Sequence, residues 1–188
     1  MSRINIAFDI DGTIIDIYES VKREVEWYKD ESVDDATGYI MGDTWNINNI
    51  ILSNIINTII KNYNCIPIYE YVYEVMKYLH DKTDDYIQFI TSRSITHYTY
   101  THMLLKRILK DIPFQIAFSE NKIEFLNNYD FFMDDRRKTV LELSAMGKTV
   151  FMPTHCYNNI PDEVPNVIKL NDKFNSFFHY IDECIIWN

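Results

Sequence analysis

The sequence predicts an α/β fold: a Rossmann-like, doubly wound parallel sheet with a small helical cap inserted after the first strand. Three observations carry that prediction. Six strand-length runs are apolar on both alternating faces, as strands covered by helices on both sides should be. Helix-length segments separate the later runs. One stretch, residues 18–81, reads as helices alone and breaks the alternation.

Taken in chain order, the first strand is INIAFDI, residues 4–10. The insertion then offers helices at 18–30, 44–63 and 68–80, the last with Pro67 ahead of it, whose fixed φ suits a first helical turn. The second strand is YIQFIT (86–91), followed by a helix over 96–110. FQIAFS (114–119) is the third strand, with a short helix at about 122–127. YDFFMD (129–134) and a helix at 137–146 come next, then KTVFM (148–152), NVIKL (166–170) and a terminal helix over 172–187. The division that follows is a core of residues 1–17 and 82–188 with residues 18–81 as the cap.

Composition narrows the partners. A net charge of −10 leaves no basic face for a nucleic-acid polymer. Hydrophobic residues make up 47% of 188 positions, enough for a packed core rather than a disordered segment. The cysteines Cys65, Cys156 and Cys184 are far apart and form no CxxC pair, so neither a disulfide framework nor a cysteine zinc site is indicated. No signal peptide or membrane-length apolar run is read, and the expectation is a cytoplasmic protein with no membrane partner.

Ligands of open α/β sheets bind beyond the carboxyl ends of the strands, so the residues after each strand are the ones to inspect. They are Asp9-Ile10-Asp11-Gly12-Thr13, then Thr91-Ser92-Arg93, then Ser119 to Lys122, then Asp134-Asp135. Acids crowded at one edge repel unless a hard cation or a proton offsets them, and Mg²⁺ takes carboxylate oxygens while keeping room for a phosphate. Lys122 and the Thr91 and Ser92 hydroxyls suit phosphate oxygens. A carboxylate can attack phosphorus, and a second can carry the proton. Gly12 permits a tight turn beside a ligand. Alone, each element has a plainer reading: an Asp-x-Asp turn or calcium loop, a helix N-cap at Thr91-Ser92, a solvated Lys122, a helix start at Asp134-Asp135. Their joint placement at one sheet edge favours chemistry.

The motif DIDGT after an apolar run resembles the first motif of the haloacid dehalogenase superfamily of phosphohydrolases, and Thr91, Lys122 and Asp134-Asp135 are similar to its second, third and fourth motifs in order. Within that superfamily ITSR, MDDRR and the helical insertion resemble the 5'(3')-deoxyribonucleotidases, and FMPTHCYNN (151–159) resembles their Thr- and His-containing segment. The chain departs at Arg93, where mammalian members commonly have proline, and its interval from Lys122 to Asp134 is slightly long.

The resemblance implies a Mg²⁺-dependent phosphomonoesterase acting on (deoxy)nucleoside monophosphates. Asp9 is then nucleophile and metal ligand. Asp11 is general acid/base and gives its backbone carbonyl to the metal. Thr91, Ser92, Arg93 and Lys122 hold the phosphoryl group, and one or both of Asp134 and Asp135 complete the metal site. Two other readings stay open: a phosphatase or phosphotransferase for another small phosphate such as a sugar phosphate, and a non-catalytic binding protein on the same scaffold. Trp45 is a candidate to stack on a nucleobase, with core packing the commoner role of a tryptophan. Trp27 and Trp187 are assigned to packing, His97 and His102 to the surface or to packing, and Asp16 to no role in chemistry.

Overall fold

Apolar runs that need cover on both faces form the centre of the molecule, which a computed structural model describes for residues 5–36, 41–83, 86–171 and 174–186. The strands are β1 (Ile6–Phe8), β2 (Ile87–Thr91), β3 (Phe114–Phe118), β4 (Phe131–Met133), β5 (Thr149–Pro153) and β6 (Val167–Leu170). All six pair in parallel, in the order β3-β2-β1-β4-β5-β6. The helices are α1 (Ile17–Lys29), α2 (Met41–Thr44), α3 (Asn49–Lys61), α4 (Val72–Thr83), α5 (Tyr98–Leu109), α6 (Arg137–Ala145) and α7 (Asn175–Ile186).

Strand periodicity divides the core in two. Ile6 and Phe8 join Phe89, Met133 and Phe151 on one face, while Ala7 joins Ile90, Phe132, Val150 and Met152 on the other. Each face is buried, which is why the runs look uniformly apolar in sequence. The strand order reverses at β1, the place where open α/β sheets in general hold their ligands. Register fixes what meets there. Phe8 stands opposite Met133, so the next residues, Asp9 and Asp134, emerge side by side, with the Asp9 N–H donating to the Met133 carbonyl at 2.8 Å.

Between β1 and β2 the described residues carry the helices α1 to α4, with a neck where the two ends of the stretch meet. Ile15 bridges Ile68, the Asp16 N–H donates to the Pro67 carbonyl at 3.0 Å, and the Tyr69 N–H to the Ile14 carbonyl at 3.3 Å. The last helix, α4, lies against β2 and α5. Asp16 caps α1: its carboxylate accepts the Glu19 N–H at 3.0 Å.

The helix expected over 44–63 is broken. Asn46 has φ 46° and the Asn48 side chain caps α3 by accepting the Ile50 N–H at 2.8 Å, so α2 and α3 are separate. Residues Lys122–Asn128 form a 3₁₀ turn rather than an α-helix, with no side-chain hydrogen bond capping its start. Trp27 is a correction: it is 81% exposed, because Val21 and Val25 define the buried stripe of α1 and Trp27 points off it. Trp187 lies outside the described residues. No described helix is long and apolar enough to cross a membrane.

Candidate active site

Asp9 leaves the end of β1 almost wholly buried, and the chain then turns back on itself at Gly12. Gly12 is required there on two counts. Its φ is +77°, and a Cβ would fall 2.1 Å from Asp135 Oδ2. The loop after β5 braces this turn from outside. His155 Nε2 lies 2.6 Å from the Gly12 carbonyl, the Tyr157 hydroxyl donates to Asp135 Oδ2 at 2.9 Å, and the Asn158 amide donates to the Asp135 carbonyl at 2.9 Å. Burial holds His155 below its ordinary value, against the opposing Gly12 carbonyl and Asp16, so the neutral ring donates to that carbonyl.

Lys122 supplies the positive charge the acids need. Its Nζ lies 2.8 Å from Asp9 Oδ1 and 2.6 Å from Asp134 Oδ2, and its side chain is 6% exposed. Burial alone would lower the lysine, but Asp134 and then Asp9 outweigh it and raise it, so it is a fixed cation. Asp9 responds the other way. Burial pushes it up to about 7, with Asp134 and Asp11 adding and Lys122 opposing. Asp135 is also raised well above the ordinary carboxylate range, by burial first and then by Asp9 and Asp134. One lysine therefore does not neutralise three buried acids.

A cation fits the remainder. One carboxylate oxygen each from Asp9, Asp134 and Asp135 lies within 4.8 Å of the others. Asp135 Oδ1 is buried with no hydrogen-bond partner among the described residues. Asp134, by contrast, spends Oδ2 on Lys122 and Oδ1 on the Arg136 N–H at 2.8 Å. An orphaned oxygen among hard oxygen donors is what Mg²⁺ takes.

Asp11 is not part of that cluster, and its carboxylate pairs with Arg93. Arg93 Nε donates to its Oδ2 at 2.8 Å and Nη2 to its Oδ1 at 2.7 Å. The Thr91 hydroxyl accepts the Arg93 N–H at 3.2 Å, which leaves its own proton to give. Ser92 is exposed beside them. A cleft of about 490 Å³ opens next to Asp11, Ser92 and Arg93, walled by Ile17, Val21, Leu52, Ile56 and Ile60 and edged by Asn49, Asn57 and His97.

Comparisons with known proteins converge on one fold. No family model matches the chain. A protein described as a predicted phosphoglycolate phosphatase from Haemophilus somnus 129PT superposes with a TM-score of 0.64 at 14% identity, over 96% of this chain and 99% of that one. A haloacid dehalogenase-like family hydrolase from Xanthomonas campestris gives 0.61 at 14% identity over all of both chains. The chain has the haloacid dehalogenase fold. The magnesium-bound HAD-hydrolase YfnB from Bacillus subtilis is a further match, with a TM-score of 0.60 at 11% identity over 96% and 100% of the two chains. In sequence, a nucleotidase of Clostridium acetobutylicum is 29% identical over 182 residues, 86% of this chain and 85% of its own.

The four strand-end motifs meet at one edge of the sheet, and two side chains are engaged otherwise than expected. Arg93, expected to hold phosphate, has its guanidinium turned to Asp11 and Thr101 instead, because a buried cation beside an acid pairs with it. Trp45 does not present a face to the cleft. It is 2% exposed, donates its indole N–H to the Asp34 carbonyl at 2.8 Å and packs on Tyr18 with ring centroids 5.6 Å apart. Three residues that brace the site, Tyr157, Asn158 and His155, entered the sequence reading through the segment FMPTHCYNN without roles of their own, and His97, which edges the cleft, was expected at the surface or in packing.

Proposed function

We propose that this chain is a Mg²⁺-dependent phosphomonoester hydrolase that works through a phospho-Asp9 intermediate and acts on nucleoside monophosphates. The observation that carries the reading is the junction of Asp9, Asp134, Asp135 and Lys122 at the strand ends beside an open cleft. In this reading the expected cap of residues 18–81 is narrowed to the part before the neck at Ile15 and Ile68, because α4 lies against β2 and α5.

Asp9, Asp135 and the Asp11 backbone carbonyl would hold Mg²⁺, with Asp134 anchoring Lys122. When bound, the cation supplies charge stabilisation to phosphate oxygens and keeps Asp9 ionised. An Asp9 oxygen attacks phosphorus, the bond to the leaving oxygen breaks, and Asp11 delivers its proton to that oxygen. Water then attacks the phospho-Asp9, passing a proton back to Asp11, and inorganic phosphate leaves with the Asp9 carboxylate restored. Lys122 and the Thr91 and Ser92 hydroxyls bind the phosphoryl oxygens throughout.

The cleft suits an uncharged leaving group. Its walls are aliphatic, Asp11 and Arg93 on its lining pair with each other, and His97 is held below its ordinary value by burial, with Arg93 and Lys61 adding. Asn49 and Asn57 offer amides that donate and accept, as a nucleobase edge requires. The relative named as a nucleotidase agrees in class.

The test is a panel of nucleoside monophosphates, sugar phosphates and phosphoglycolate, with Mg²⁺ and with a chelator. Nucleotides should lead, and the chelator should abolish turnover. Asp9→Asn should form no phosphoenzyme. A sugar phosphate in the lead would overturn the substrate class, and full turnover by Asp9→Asn would overturn the reaction.

A further inference from the structure

The Asp11–Arg93 pair spans two strand ends and is more elaborate than neutralising one half-buried carboxylate requires. The guanidinium is the immobile half. Its side chain is 2% exposed, Nη1 donates to the hydroxyl of the wholly buried Thr101 on α5 at 3.1 Å, and its backbone N–H is held by Thr91. Asp11 is the accessible half, with a side chain 24% exposed on the cleft. Two parallel N–H···O bonds of 2.8 and 2.7 Å fix both the position and the plane of a carboxylate. A lysine, being a point charge on a flexible stem, fixes neither.

We propose that Arg93 is a positioning residue: fastened to β2 and α5, it sets the orientation of Asp11 toward the leaving group, so the second strand aims the proton carrier of the first. This rests on the reaction proposed above. A misaimed acid costs most where the leaving oxygen needs its proton. An alkoxide departs poorly without one, whereas p-nitrophenolate departs unaided. Displacement of a reacting group by about 1 Å can cost about 100-fold.

The experiment compares kcat/KM for a nucleoside 5'-monophosphate and for p-nitrophenyl phosphate in wild type, Arg93→Lys, Thr101→Val, Asp11→Asn and the Asp11→Asn/Arg93→Lys double variant, with thermal melts to verify folding. Arg93→Lys should lose about 10- to 100-fold on the nucleotide and severalfold less on the aryl ester. Thr101→Val should lose less in the same substrate-dependent way, and it carries the comparison should Arg93→Lys not fold. In the Asp11→Asn background Arg93→Lys should add no further loss on the nucleotide. Equal losses on both substrates, additive losses in the double variant, or no loss at all would each overturn the inference while leaving the reaction standing. Wild-type protein inert toward both substrates would overturn the reaction, and this inference with it.

Discussion

Replacing Lys122 by methionine removes the one cation shared by Asp9 and Asp134 while roughly keeping its volume. Both acids are buried, so the variant leaves two carboxylates without their counter-charge. Breaking a buried ion pair by deleting one partner costs about 3–5 kcal/mol, a large share of the 5–15 kcal/mol that holds an ordinary domain folded. With a urea slope of about 2 kcal/mol/M, the unfolding midpoint of the metal-free protein should fall by roughly 1.5–2.5 M. The deficit should also depend on pH. Asp9 in the folded wild type is raised from an ordinary 3.8 to about 7, so the folded state binds that proton more tightly than the unfolded chain. Such a group favours folding most below about 4, and the advantage is lost as pH rises through about 7. Without Lys122 to oppose burial, Asp9 rises further and the loss on the alkaline side deepens. Urea titrations at pH 5.5 and 8.5 should therefore show a clearly smaller gap between variant and wild type at the lower pH. A gap below about 1 kcal/mol at pH 8.5, or one equal at both pH values, would refute the claim that Lys122 neutralises this cluster.

Four further outcomes are expected. Mg²⁺ binding should release protons near pH 7 and strengthen as pH rises through about 7, because binding requires Asp9 ionised; calorimetry giving one enthalpy in buffers of different ionisation heat would count against it. Asp135→Asn should remove the Mg²⁺-induced rise in melting temperature, while Asp134→Asn should keep part of it, since Asp135 Oδ1 has no hydrogen-bond partner among the described residues whereas both Asp134 oxygens are engaged. Gly12→Ala should cost at least about 1–2 kcal/mol from the positive φ alone, with activity lost through the displaced Asp135, read by urea unfolding and turnover. Trp45→Ala should cost about 3–5 kcal/mol in unfolding free energy without reordering the preference among nucleobases; a reordered preference would restore Trp45 to the cleft.

The order of elements was legible because burial on both faces leaves a mark that a strand cannot hide. Ile6, Ala7 and Phe8 need cover on opposite sides, and the runs around Phe89, Phe132 and Phe151 repeat that demand. The acids were legible because no core tolerates Asp9, Asp134 and Asp135 without a compensating charge, and the strand-end rule says where they gather. Side-chain partners were not legible. Nothing in ITSR distinguishes an arginine that grips phosphate from one that grips Asp11, since that depends on which way a buried fork turns once Thr101 on α5 stands beside it. Trp45 was equally open until packing on Tyr18 buried it. Asp16 gained its role, the cap of α1, only from backbone geometry. Sequence alone thus determined the sheet, its helical insertion and the acids at its edge, because local periodicity and the cost of buried charge act along the chain. Tertiary structure decided which acid keeps a free oxygen, which acid is clamped and what walls the cleft, because those depend on atoms brought together from β1, β2, α5 and the loop after β5.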